Sequence, residues 1–392
     1  MTTNPLLVPI DSLIDYPAIQ PEHIEQAVDQ LLALARQAVD TVSNDDSEPS
    51  WDNIVEPITD ATETLYRAWS VAGHLNSVIN TPELRKVYNQ CLPRMSEFST
   101  WVGLNRPLFL RYQALADSPA FTALTPQRQR IITLALRDFR LSGVQLEGQA
   151  REDYARISEE LAQTSQQFSE HVLDAIDQWH YLVTDQAELD GIPDDVLAAA
   201  QRAAQENDQQ GWRLTLKMPC YLPVMQYARN QTLRELMYRA YTTIASDQGD
   251  TQFDNSQAIE TLLNLRAQEA SLLGFASYAH MRLETRMADT PEQVMSFLRD
   301  LAAKARPYAR QDLDELQAFA QKELGLETLQ AWDVPFSAER LREQRYAYSE
   351  DEVKQYFTEP AVLSGLFKVI QRLFDVTLRA ADVPVWHPAV RP

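Results

Sequence analysis

Apolar residues recur every three or four positions along most of this chain, the spacing that gathers them on one face of an α-helix. From Pro21 to Val42 the face is Ile24, Ala27, Val28, Leu31, Leu32, Ala35 and Val39. Three further runs open alike, at Thr81-Pro82, Thr125-Pro126 and Thr290-Pro291. The threonine hydroxyl can cap free N–H groups, and proline at the first helical position gives up only an N–H that lacks a partner anyway. After Pro82 the face is Leu84, Val87, Tyr88, Cys91, Leu92, Met95 and Phe98; after Pro126 it is Ile131, Ile132, Ala135, Leu136 and Phe139, ending near Gly143. After Pro291 come Val294, Met295, Leu298 and Leu301, then Leu313, Leu316 and Phe319, ending near Gly325; Pro307 is expected to kink or split this run. Ala150 to Trp179 predicts one long helix with Tyr154, Ile157, Leu161, Phe168, Val172, Ala175, Ile176 and Trp179 on its face. Thirty residues at 1.5 Å each would span roughly 45 Å, more than a compact bundle needs.

Two segments break the period. His180 to Asp185 and Trp212 to Met218 alternate in the manner of strands and are rich in β-branched and aromatic residues, so a small antiparallel pair is expected there. Between them Pro193 starts a short alanine-rich helix, and residues 206 to 211 form a polar turn. Asp382 to Pro392 is extended and proline-rich, like the approach to a sheet that this chain does not contain; Val385 and Trp386 are expected to lie uncovered. The fold class is therefore mostly α, with one small antiparallel β element.

Composition narrows the possible functions. A chain of 392 residues with 45% apolar content can bury a large core in two or three domains. Its 10 glycines, roughly a third of average usage, argue against glycine-loop nucleotide binders. A net charge of −21 repels phosphate backbones and anionic membrane surfaces, so neither nucleic acid nor membrane is an expected partner. Two cysteines without a CxxC exclude a disulfide framework and fit a reducing compartment. The N-terminus lacks the basic and apolar regions of a signal peptide, and no stretch approaches the ~20 apolar residues of a membrane span. A cytoplasmic protein is expected. The sequon Asn230-Gln231-Thr232 lies in a helical pattern and reads as a chance match.

Candidate chemistry is sparse. The histidines are His23, His74, His171, His180, His280 and His387; none precedes a glutamate and no two are four apart, so an HExxH zinc helix cannot be built from them. His171 and His180, nine residues apart, would fall near opposite helix faces. His171 with Asp174 is a possible i,i+3 pair, either a metal contact or a solvated pair. Cys91 falls on an apolar face and reads as core; Cys220, between Pro219 and Tyr221, reads as a free structural thiol. Tyr238, Tyr241, Tyr346 and Tyr348 could touch a ligand or serve as core and rim. The pairs Asp45-Asp46 and Asp194-Asp195 read as solvated loop residues. No GxSxG, P-loop or GxGxxG is present. These residues supply no catalytic, cofactor-binding or metal site.

The run from Tyr221 to Ala279, above all LRELMYRAY, the SDQG and DNS stretches and LLGFASYA, resembles the thimet oligopeptidase (neurolysin) family of zinc metallopeptidases. HLNSVINTPELR (74–85), SEFSTWVG (96–103), RDFRLSG (137–143) and VWHPAVR (385–391) continue the resemblance in one register. It implies a mostly helical, clam-like fold whose two elongated lobes flank a channel admitting short peptides, cleaved signal peptides among them. It also implies a zinc held by HExxH and a further glutamate, with the motif glutamate activating the zinc-bound water. In the family, those ligands and the residues gripping the peptide follow the position where this sequence stops, so none maps onto this chain. The expected organisation is a first helical lobe at 1–150, long helices and the β pair of a partial second lobe at 151–345, and a return segment to the first lobe at 346–392, with the crossing near 140–144. The expected function is that of the N-terminal portion of a zinc oligopeptidase, inactive without a C-terminal complement; the alternative is a non-catalytic module that binds peptides.

Overall fold

The structure, a computed structural model, describes residues 4–347 and 353–390. It is 71% helical with a single two-stranded antiparallel sheet, the mostly α class that the periodicity predicts. The helices are α1 (Pro21–Ser43), α2 (Trp51–Val78), α3 (Pro82–Gly103), α4 (Arg106–Ala116), α5 (Pro119–Ala123), α6 (Pro126–Leu141), α7 (Gln149–Gln178), α8 (Asp194–Gln205), α9 (Met218–Tyr227), α10 (Gln231–Thr242), α11 (Ser256–Leu272), α12 (Tyr278–Leu283), α13 (Pro291–Leu324), α14 (Val334–Tyr346) and α15 (Glu359–Phe374). The strands β1 (His180–Val183) and β2 (Trp212–Thr215) pair with His180 opposite Thr215 and Val183 opposite Trp212.

The expected caps form. The hydroxyls of Thr81, Thr125 and Thr290 accept from the N–H groups of Leu84, Arg128 and Gln293. Ser50 and Asn53 cap α2 reciprocally, at 2.9 and 3.2 Å. Asn230 of the sequon is an N-cap too, accepting from Leu233 N at 3.2 Å. Asp194 and Asp195 were expected on a loop; they occupy the first turn of α8, where carboxylates complement the helix dipole. Pro307 does not split its run, since α13 continues through it for 34 residues. The turns around it are exposed, so water can serve the carbonyl that proline leaves without a donor.

The chain divides into two compact units, Met1–Ser165 with Thr261–Met287 and Arg379–Pro392, and Gln166–Glu260 with Ala288–Leu378. Helices α7 and α11 each run from one unit into the other. In the first unit, Ile24, Ala27, Val28 and Leu31 of α1 pack against Leu65, Ala68 and Ala72 of α2 and Cys91, Met95 and Phe98 of α3. Further along, Val39 and Val42 join Ile54, Leu108, Leu115, Ile132 and Phe139 in a second core. Trp386 is half-buried and packs on the first of these cores, edge-on to His74 with ring centroids 5.1 Å apart. Val385 is half-buried as well, which corrects the expectation that the pair is uncovered: the extended segment lays its indole on helices already in place.

In the second unit, Val183 and Leu214 of the β pair, Val196 and Ala200 of α8, Val224 and Met225 of α9, and Leu233 and Met237 of α10 form one core. Gly211 makes the tight approach to β2. Its φ is +113°, and a β-carbon there would lie 2.3 Å from the Val183 carbonyl oxygen. The apolar faces of the long helices are covered less than their periodicity suggests. Only Tyr154 and Ile157 of α7, and Leu316 and Ala320 of α13, are buried.

Candidate functional site

The loop following α10 does most to shape a site in the second unit. Helix α10 starts at the Asn230 cap and turns Arg234 inward, where it is 1% exposed. Its guanidinium meets Asp333 at 2.6 Å and the Ala228 carbonyl at 2.6 Å, and lies over the Phe336 ring at 4.3 Å. Gln231 donates to the other Asp333 oxygen at 2.8 Å. Nearby, Tyr227 donates to Glu339 at 3.1 Å, and Arg342 to the same carboxylate oxygen at 2.6 Å. Buried charges persist only when paired and hydrogen-bonded in this way. The network fixes α10, and with it Tyr238 and Arg239 one turn further on. Arg239 bonds Glu235 at 2.8 Å and rests over Trp332 at 5.1 Å.

The loop from Thr243 to Asn255 is fastened at its far end. Asn255, 1% exposed, takes the Ala245 carbonyl with its backbone N–H and the Phe168 carbonyl with its side-chain amide, both at 3.0 Å. Because the amide nitrogen faces a carbonyl, the amide oxygen must face His171, whose Nδ1 lies 3.0 Å away. His171 therefore donates from Nδ1 to that oxygen. The hydroxyl and N–H of Ser256 hold the Asp254 carboxyl below the usual range, with a smaller contribution from His171.

The end of α7, α10 and this loop enclose a cavity of about 660 Å³, with Trp179, Tyr238 and Phe253 as aromatic wall and Gln178, Arg239 and Asp250 as polar groups. The dimensions and lining suit a short polar ligand or a stretch of peptide.

The other candidate residues are distributed elsewhere. Tyr241 stacks on Tyr221 at 4.2 Å and reaches Met218 Sδ at 3.7 Å. Tyr346 is 60% exposed beside α13, and Tyr348 lies outside the described residues. Cys91 is buried against Arg94, whose Nη2 donates to its sulfur at 3.2 Å. Cys220 accepts from Thr215 N at 3.4 Å, and burial raises both thiols above their ordinary pKa. His180 is exposed on β1, its ring against the Gln178 carbonyl. The tether of His171 to Asn255 escaped the sequence reading because 84 residues separate them. Among the described residues no three His, Cys, Asp or Glu side chains come together as a metal set, so these residues do not fit a zinc ion.

Comparison with known proteins matches residues 28–151 to the model of the neurolysin/thimet oligopeptidase N-terminal domain and residues 224–392 to that of peptidase family M3. Oligopeptidase A of Salmonella typhimurium is 45% identical over 392 residues, covering 99% of this chain and 58% of the relative. Oligopeptidase A of Escherichia coli is 43% identical with the same coverage. Dipeptidyl carboxypeptidase of Salmonella typhimurium is 30% identical, again over 58% of its length. The chain thus spans under three-fifths of these relatives, and by its two family matches and its identity to oligopeptidase A it belongs to peptidase family M3.

Proposed function

We propose that this chain forms part of a zinc oligopeptidase of the oligopeptidase A kind, which hydrolyses short peptides such as cleaved signal peptides, and that it is inactive alone. The 45% identity to an oligopeptidase A across 99% of the chain carries the reading. The sequence has no HExxH, and the described residues form no metal set, so in this proposal the zinc and the general base come from the remaining two-fifths of the relatives' length. The residues described here contribute walls and scaffolding, with the Arg234–Asp333 network holding α10 and Asn255 holding the loop that follows. In the complete protein, 1–150 with the return segment 346–392 would serve one lobe and 151–345 the other. The cytoplasm is the proposed compartment, in keeping with the free thiols of Cys91 and Cys220.

The test uses a short quenched-fluorescent peptide with added zinc. This chain alone should give no cleavage, whereas mixing it with the remaining part of Escherichia coli oligopeptidase A should restore it. Cleavage by the chain alone that co-elutes with it on gel filtration would sink the proposal.

The cavity beside Tyr238 and Phe253 favours a second reading, a module that captures peptides without cleaving them. Anisotropy of a labelled peptide separates the two. Saturable binding to the isolated chain, abolished by Phe253→Ala, would favour capture.

A further inference from the structure

Helix α15 has 16 residues and buries none of them. Two neighbouring apolar stripes run along it, Val362, Leu366, Val369 and Leu373, and one position on, Leu363, Phe367, Ile370 and Phe374. Residues spaced by three and four stack on one helix face, and two adjacent stripes make that face broad. Phe367 is 46% exposed, Leu373 68% and Phe374 69%. Helix α1 shows what such a face ordinarily becomes, since eight of its residues are buried against neighbours. A helix of this length is marginal in water by itself and takes its stability from what packs on it. The first half of α13 shares the condition, with Met295, Leu298 and Leu301 all exposed.

Two occupants can be weighed. A second copy would bring together two chains of net charge −21, which repel each other. The relatives, by contrast, carry two-fifths of their length outside the match. We propose that the apolar face of α15 is the docking surface for the polypeptide corresponding to that remaining part of oligopeptidase A. The contact is of the obligate kind, apolar like a domain core cut in two. This proposal rests on the peptidase reading above and names the partner's seat.

Cysteine labelling tests it in the full chain, whose own thiols are buried or half-buried. Leu373→Cys and Phe367→Cys replace exposed side chains, and Asp40→Cys on α1 serves as the control; circular dichroism confirms that each variant is folded. Adding the remaining part of Salmonella typhimurium oligopeptidase A should give a one-to-one complex by light scattering. Labelling at 373 and 367 should slow at least tenfold, with labelling at 40 unchanged. No complex, or a complex in which both positions label at the free rate, overturns the proposal. So does slowed labelling that appears on raising the concentration of this chain alone, which would assign the face to a second copy. Peptide hydrolysis is read in the same samples. A protected but inactive complex retains the docking surface and removes the peptidase reading, whereas hydrolysis with 373 and 367 still labelling freely does the reverse.

Discussion

Arg234 and Asp333, separated by 99 positions in the chain, form an ion pair that is 1% and 0% exposed, with nitrogen and oxygen 2.6 Å apart. Removing either partner leaves the other charge buried without compensation, which costs about 3–5 kcal/mol. Arg234→Met and Asp333→Ala should each destabilise the second unit by that order. Arg234→Lys should fall close to them, because a single ammonium cannot reproduce the forked contacts to Asp333 and the Ala228 carbonyl. Denaturant unfolding followed by tryptophan fluorescence checks this; a double variant no worse than either single one would confirm that the two act as a pair.

Gly211→Ala should cost more than about 1 kcal/mol, since alanine must adopt a left-handed φ and its β-carbon collides with the Val183 carbonyl. Gly325 also has positive φ, +69°, but has open space around it, so Gly325→Ala should cost less. The difference between the two unfolding midpoints isolates the collision from the φ penalty.

Burial pushes the Tyr112 hydroxyl, and the Tyr154 hydroxyl with added repulsion from Glu269, from 10.0 up to about 12. The unfolded chain loses these protons near pH 10 and the folded chain only near 12. Their stabilisation is complete below pH 10 and is lost as the pH rises toward 12. Urea midpoints should be flat from pH 8 to 9.5 and fall beyond pH 10. Tyr112→Phe should lessen the fall, and an equal fall in that variant would count against burial as its cause.

Trp386→Ala should destabilise the first unit by about 1–3 kcal/mol, the value of a partly buried large side chain. Wild-type fluorescence should show an indole shielded from iodide, and the His74→Ala variant should raise its quenching. An indole quenched as freely as in the unfolded chain would refute the packing against His74.

Helices α1, α3, α6, α7, α8 and α13, the threonine caps and the two strands were legible because each rests on contacts within a few residues. Helix α15 lacks the Thr-Pro start by one residue, since Glu359 stands between Thr358 and Pro360. Of the site, Tyr238 was visible as a candidate, but nothing local marked Arg239, Phe253 or Asn255 as its companions. The family could be read from runs such as LRELMYRAY, which preserve residue identities in order. That Arg234, the first of the two arginines in that run, is buried against Asp333 depends on a partner far along the chain.

The amino-acid order alone thus marked α1, α3, α6, α7, α8, α13 and the two strands, the apolar residues along them, and the family. Tertiary structure decided which apolar faces are covered, with α1 buried and α15 bare, and that Trp386 finds a place against His74 while His171 is tethered to Asn255. Periodicity reports only that a face could be buried; whether it is depends on which distant element comes to lie against it, and that information resides in three-dimensional packing.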